Sequence, residues 1–164
     1  MQLTLLLATG LVSLASAQTS GKSLIVDTPP NALRPYVVQH LKGVVLNLMD
    51  TAMRFPITAG SSNGKMTLLS THGNAAVDLN VPAHRHVARY ENFFCSRGGV
   101  QLWTQQWNGT QQVRKLTAGD MAASPSNATH TFQIVEPNTE MYGVVFAGGL
   151  EYDHFNLNID KQLT

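Results

Sequence analysis

The stretch PAHRHVARYENFF, residues 82–94, sets both the fold and the chemistry of this chain. It holds His84, His86 and Glu91 within eight residues. In an extended strand alternate side chains share a face, so His-x-His presents two imidazoles on one side, close enough to grip a single metal ion. Glu91 lies an odd number of residues from both histidines, and a straight strand would point it the other way. For the three groups to converge, the backbone must turn or bulge within residues 87–90. The spacing predicts a corner.

Two histidines and a carboxylate suit a divalent transition metal, and a fourth group often comes from a distant strand. The candidate is His130, in the stretch GDMAASPSNATHTFQIV, residues 119–135. There Gly119-Asp120 supplies a turn, Pro125 stops a strand, and residues 129–135 read as another strand. Two half-sites on two strands would make one centre.

Working outward, residues 3–14 are an apolar run followed by small residues at 15–17, the pattern of a secretory signal spanning 1–17 and cleaved before Gln18. The run is too short for a membrane span, so no membrane partner is expected. Two N-x-[ST] sequons, at Asn108 and Asn127, fit a secreted glycoprotein; Asn108 is the better candidate because Asn127 sits close to the expected metal site. The chain carries 11 basic and 10 acidic residues and no basic run, which argues against nucleic acid as a partner. Its one cysteine, Cys95, excludes an intramolecular disulfide and, lying beside Phe93 and Phe94, is expected to be buried.

Residues 18–33 are polar and include Pro29-Pro30, which reads as an N-terminal arm. Residues 36–38 and 44–48 are β-rich, although 44–53 also fits a helix on periodicity alone. Turn signals at residues 61–64 and 72–74 bracket a strand over 65–71. Residues 100–107 and 111–116 flank Asn108-Gly109, a pair that accepts the positive φ angles of a tight hairpin. Trp103 and Trp107 share strand parity with Gln101 and Gln105, so all four are expected on one partly polar face. Strands follow at 121–124, 130–135 and 140–146. Short strands separated by turns, with no long helix, predict an all-β sandwich or barrel.

The motif His-x-His-x4-Glu-x6-Gly, formed by His84, His86, Glu91 and Gly98, and the motif Gly-x5-Pro-x-Asn-x2-His, formed by Gly119, Pro125, Asn127 and His130, together resemble the paired motifs of the cupin superfamily. Within it, the runs HVARYENFF, GGVQLW, LTAGD and SNATHTFQIVEPNTEM are similar to the N-terminal cupin of secreted fungal flavonol dioxygenases, the quercetinases, over residues 34–152. The resemblance implies a single jelly-roll domain at 34–152 and a C-terminal tail at 153–164. It implies His84, His86, Glu91 and His130 as ligands of one divalent transition metal. Copper is the family's fungal choice and stands at the top of the divalent affinity order, while related cupins use iron, manganese, nickel, cobalt or zinc.

The same resemblance implies a small aromatic substrate, a flavonol or similar enolic aromatic, cleaved with dioxygen. Glu91 would then be both ligand and catalytic base. Tyr36 matches a tyrosine that lines the site and hydrogen-bonds this carboxylate, and Asn92, Phe93, Phe132 and Met141 match positions that line the substrate pocket. A cupin that tailors a secondary metabolite through the same site is an alternative, as is a non-catalytic secreted monocupin. The fungal flavonol dioxygenases carry a second barrel after the first. A lone barrel would expose an apolar patch, and a homodimer that covers it is expected.

Overall fold

The computed structural model describes residues 23–48 and 51–146. The expected signal segment 1–17 and the expected tail 153–164 lie outside them.

Among the described residues, eleven strands and one helical turn follow one another. They are β1 (Ile25–Val26), β2 (Val37–Val38), β3 (Val44–Leu48), β4 (Thr51–Ile57), α1 (Ala59–Ser62) and β5 (Met66–Gly73). After a long connection come β6 (Tyr90–Arg97), β7 (Gly99–Gln105), β8 (Gln111–Thr117), β9 (Met121–Ser124), β10 (His130–Ile134) and β11 (Thr139–Phe146). Six strands form one sheet in the order β3-β4-β5-β11-β6-β9, and three form a second in the order β10-β7-β8. β1 and β2 pair in parallel as a separate ribbon.

The two sheets pack face to face over one core, so among the described residues the jelly roll is an open sandwich and not a closed barrel. The core is contributed by alternating positions: Met53 and Phe55 from β4, Leu69 from β5, Phe93 and Cys95 from β6, Met141 and Val145 from β11 on one side. Val100, Leu102, Leu116 and Phe132 face them from the smaller sheet. Each fully buried side chain of this size contributes about 1.5–3 kcal/mol through removal from water. Cys95 is fully buried, as expected from its apolar neighbours.

Residues 44–48 and 51–53 are strand and not helix; β3 and β4 pair antiparallel, with Val44 opposite Phe55 and Leu48 opposite Thr51. Their β-branched and apolar residues gain more from the sheet than from local helical periodicity. The turn signal at 61–64 becomes the helical turn α1, capped at its start by Thr58 and ended by Asn63 in the left-handed region. In the β7–β8 hairpin only Gly109 takes a positive φ, +83°. The loop is longer than a two-residue turn, with Gly109 N–H bonded to Gln106 O and Gln106 N–H to Thr110 O. Trp107 therefore leaves the strand for the exposed loop, while Trp103 stays on the outer face of the small sheet, opposite Val113 and Thr131.

Gly98 is the point at which the chain crosses from the large sheet to the small one. Its φ is +75°, and a Cβ there would collide with Thr139. The Thr139 hydroxyl in turn accepts from Gly99 N–H at 3.0 Å and donates to Glu136 O at 2.8 Å. Only glycine fits both the angle and the contact.

Candidate metal centre

The segment between β5 and β6 carries both histidines of the first motif along the free edge of β10. Ala76 N–H bonds Ile134 O and Asn80 N–H bonds Phe132 O, and His84 and His130 exchange both backbone bonds, at 3.0 and 2.8 Å. The expected His-x-His strand is thus reduced to a single bridge pair. Side chains replace the missing ladder: Asn80 Oδ1 accepts from Ile134 N–H at 2.6 Å, and the Thr131 hydroxyl donates to Val81 O at 2.6 Å. The far end is held by Asn127, whose N–H bonds His86 O at 2.7 Å from a backbone at φ +65°. Asparagine tolerates that angle better than most residues, which gives the motif asparagine a physical role.

The predicted corner is present. The chain bends at residues 87–88 and re-enters a strand at Tyr90, returning Glu91 to the side of His84 and His86. β6 then alternates strictly, with Glu91, Phe93 and Cys95 buried inside.

Four groups from three parts of the chain meet here. One ligand atom from each of His84, His86, Glu91 and His130 lies within 4.8 Å of the others. The imidazole centroids are 4.5 to 5.4 Å apart. Glu91 Oε2 lies 2.9 Å from His86 Nε2 and 3.0 Å from His130 Nε2. His84 Nδ1 bonds Pro82 O at 2.8 Å, leaving its Nε2 for the centre. Three imidazoles and a carboxylate converging on one point can hold a single transition-metal ion.

Electrostatics separate the members. Burial pushes the Glu91 carboxyl up, but hydrogen bonds from His130 and His86 and their charge outweigh it, bringing it down to about 2. Burial also opposes charge on His130, yet the Glu91 hydrogen bond and charge raise it above the ordinary imidazole value. His84 moves the opposite way, lowered by burial and then by His130. Without an ion, the centre is an ionised carboxylate held by imidazoles.

The neighbours expected from sequence separate by parity. Phe93 and Phe132 are buried directly beside the centre, with the Phe93 ring 5.7 Å from His130 and 6.4 Å from Phe132. Met141 is also inside, but it pairs with Cys95, whereas Val145 pairs with Glu91. It lies four residues along the strand, at the far part of the core. Asn92 is a correction: adjacent to Glu91, it points to the outer face, beside Phe94, Tyr142 and Val144 in a hollow of about 580 Å³. Strand alternation places it away from the imidazoles. Tyr36 is a second correction, since its hydroxyl bonds Ser61 Oγ at 2.8 Å and Pro56 O at 3.2 Å instead of the Glu91 carboxylate.

Asn108 and Asn127 are both exposed, with Asn108 Oδ1 accepting Thr110 N–H at 3.0 Å in the loop. Sequence reasoning missed Ser124, whose buried hydroxyl is 2.8 Å from His130 Nδ1. It also missed the carbonyl of Ala128, 3.0 Å from the same nitrogen. No spacing rule marks either.

No protein-family model matches the chain. Over 130 residues it is 45% identical to quercetin 2,3-dioxygenase of Aspergillus japonicus, a match covering 79% of this chain and 37% of that protein. It is 26% identical over 137 residues to quercetin 2,3-dioxygenase of Bacillus subtilis (strain 168), covering 84% of this chain and 39% of that one. The chain therefore spans well under half the length of these curated relatives. Among solved structures it is similar to a variant of Bacillus subtilis oxalate decarboxylase, with a TM-score of 0.56 at 17% identity over 64% of this chain and 27% of the other. It is also similar to KdgF from Halomonas sp., with a TM-score of 0.52 at 11% identity over 63% of this chain and 86% of the other. The chain is a cupin in fold, and its sequence resembles quercetin 2,3-dioxygenase over the part that they share.

Proposed function

We propose that this cupin is a metal-dependent dioxygenase of the quercetinase type, opening the heterocycle of a flavonol or similar enolic aromatic with dioxygen and releasing carbon monoxide. The observation that carries the proposal is the convergence of His84, His86, Glu91 and His130 above the apolar pair Phe93 and Phe132. The 45% identity to a quercetin 2,3-dioxygenase supports the reaction class.

His84, His86, Glu91 and His130 would hold the ion, and copper is favoured because it heads the divalent affinity order for such nitrogen and oxygen donors. When bound, the ion supplies Lewis acidity toward the substrate's hydroxyl oxygen and a redox partner for dioxygen. Glu91 accepts the proton of that hydroxyl. At about 2 its carboxyl is a weak base while two imidazoles hydrogen-bond it, and every such bond exchanged for substrate raises its proton affinity. Phe93 and Phe132, buried beside the centre, give it an apolar floor that keeps water from it on the core side.

Aerobic incubation with quercetin tests the reading. Loss of the flavonol absorption band with stoichiometric carbon monoxide is expected; metal-loaded protein that leaves a panel of flavonols unchanged sinks the substrate assignment. Secretion rests on the apolar run 3–14 and the small residues after it, and N-terminal sequencing of extracellular protein should begin at Gln18. The outer face of the large sheet supports a homodimer: Tyr90, Met121 and Phe146 are 55%, 75% and 48% exposed around the hollow lined by Leu68, Phe94 and Val144. Light scattering that reports a monomer at all concentrations would exclude it.

A further inference from the structure

We infer that Ser124 is a positioning residue for His130, which fixes the ring so that Nε2 faces the ion. The inference rests on the reading of His84, His86, Glu91 and His130 as a metal centre.

β9 pairs with β6 so that Ser124 stands directly opposite Glu91. Both are buried, at 3% and 4% exposure. Glu91 Oε2 lies 3.0 Å from His130 Nε2, and Ser124 Oγ lies 2.8 Å from His130 Nδ1. A single cross-strand pair of the large sheet therefore holds both nitrogens of a ring carried by the small sheet. For Nε2 to offer its lone pair to an ion, Nδ1 must keep its proton and donate it. The acceptors are Ser124 Oγ and Ala128 O, the latter at 3.0 Å.

These two acceptors do different work. Ala128 is two residues from His130 on the same stretch of chain, so its carbonyl moves with the ring's own backbone. Ser124 belongs to the opposite sheet and ties the ring to the strand that bears Glu91. His84 has a local tether alone among the contacts to its Nδ1, the carbonyl of Pro82 at 2.8 Å. Removing the Ser124 hydroxyl leaves His130 in the same condition, free to swing relative to Glu91 about a local anchor.

Cobalt(II) titration of the parent, Ser124→Ala, Ser124→Thr and His130→Ala proteins tests this, with the d–d absorption spectrum as a second readout. Ser124→Ala should weaken cobalt binding about 10–100-fold and change the spectrum, as loss of an outer hydrogen bond to a metal-bound imidazole does. Ser124→Thr keeps the hydroxyl and should restore both. The unfolding midpoint of each metal-free protein separates a change at the centre from a change in fold. A Ser124→Ala protein with the parent's affinity and spectrum overturns the inference alone. A parent that binds cobalt no better than His130→Ala overturns the metal centre and this inference with it.

Discussion

Two halves of the candidate centre are built in different ways. Glu91 and His130 belong to regular strands, His130 as the first residue of β10; both are buried and held by ladder bonds on β6 and β10. His84 and His86 ride on an irregular segment, are less completely buried, and reach the framework through one bridge pair, the Asn127–His86 backbone bond and a few side-chain bonds. The strand half is fixed by the same packing that makes the core. The segment half has fewer bonds to break and can adjust as an ion enters. The centre thus joins a rigid pair to an adaptable one, and its members should fail differently.

The largest contrast is catalytic. Glu91→Gln keeps the shape of the side chain but cannot take a proton, and quercetin turnover should fall by roughly 10²–10⁴-fold in single-turnover assays. If turnover survives in Glu91→Gln, Glu91 is not the base, and the rigid half does no more than hold the ion.

Next comes stability without metal, measured by chemical denaturation. His130→Ala removes a buried imidazole paired with Glu91 and should cost about 3–5 kcal/mol, the range for breaking a buried pair from one side. His84→Ala removes a partly exposed ring whose Nδ1 bond is local, and should cost about 1 kcal/mol. Equal losses would erase the distinction between the halves.

The halves also differ in sign on protonation. His84 is lowered, whereas His130 is raised, so that a proton competes with the ion for its ring to higher pH. Cobalt affinity should therefore keep rising at pH values more than about one unit above 6.5, where an ordinary imidazole has largely finished titrating. In the metal-free protein the sign reverses. The His130 contribution to folding is complete below its unfolded value and is lost as pH rises through its folded one, while that of Glu91 is present above 4.5 and is lost toward about 2. A metal affinity that levels off within about one unit above pH 6.5 would remove His130 as the proton that competes.

How much of this was legible in sequence follows the same division. Alternation and turn residues located β6, β9, β10 and β11, because a half-buried strand must repeat with period two. The odd spacing of Glu91 required the corner at 87–90. The segment that bears His84 and His86 was harder, since its fixing bonds come from Asn80, Thr131 and Asn127, distant residues with no common spacing. Ser124 was invisible for a related reason: its role depends on standing opposite Glu91 across a strand pair, and register is a property of the assembled sheet. Tyr36 was displaced by a local competitor, the Ser61 hydroxyl, offered by a helical turn that read as a plain turn in sequence.

The smallest expected effect tests parity itself. Asn92 follows Glu91 immediately and precedes Phe93, so the three differ in sequence by one step each. Inside and outside alternate, however, and Asn92 faces the outer hollow while its neighbours face the core. Phe93→Ala should cost about 3–5 kcal/mol, as loss of a buried aromatic ring does. Asn92→Ala should move stability by no more than about 0.5 kcal/mol and leave cobalt binding unchanged. If Asn92→Ala instead weakens cobalt binding, then β6 is not a straight strand at this point. Glu91 would have to reach the ion through a bulge that presents two successive residues to the interior, and the strand half would be no more regular than the segment it faces.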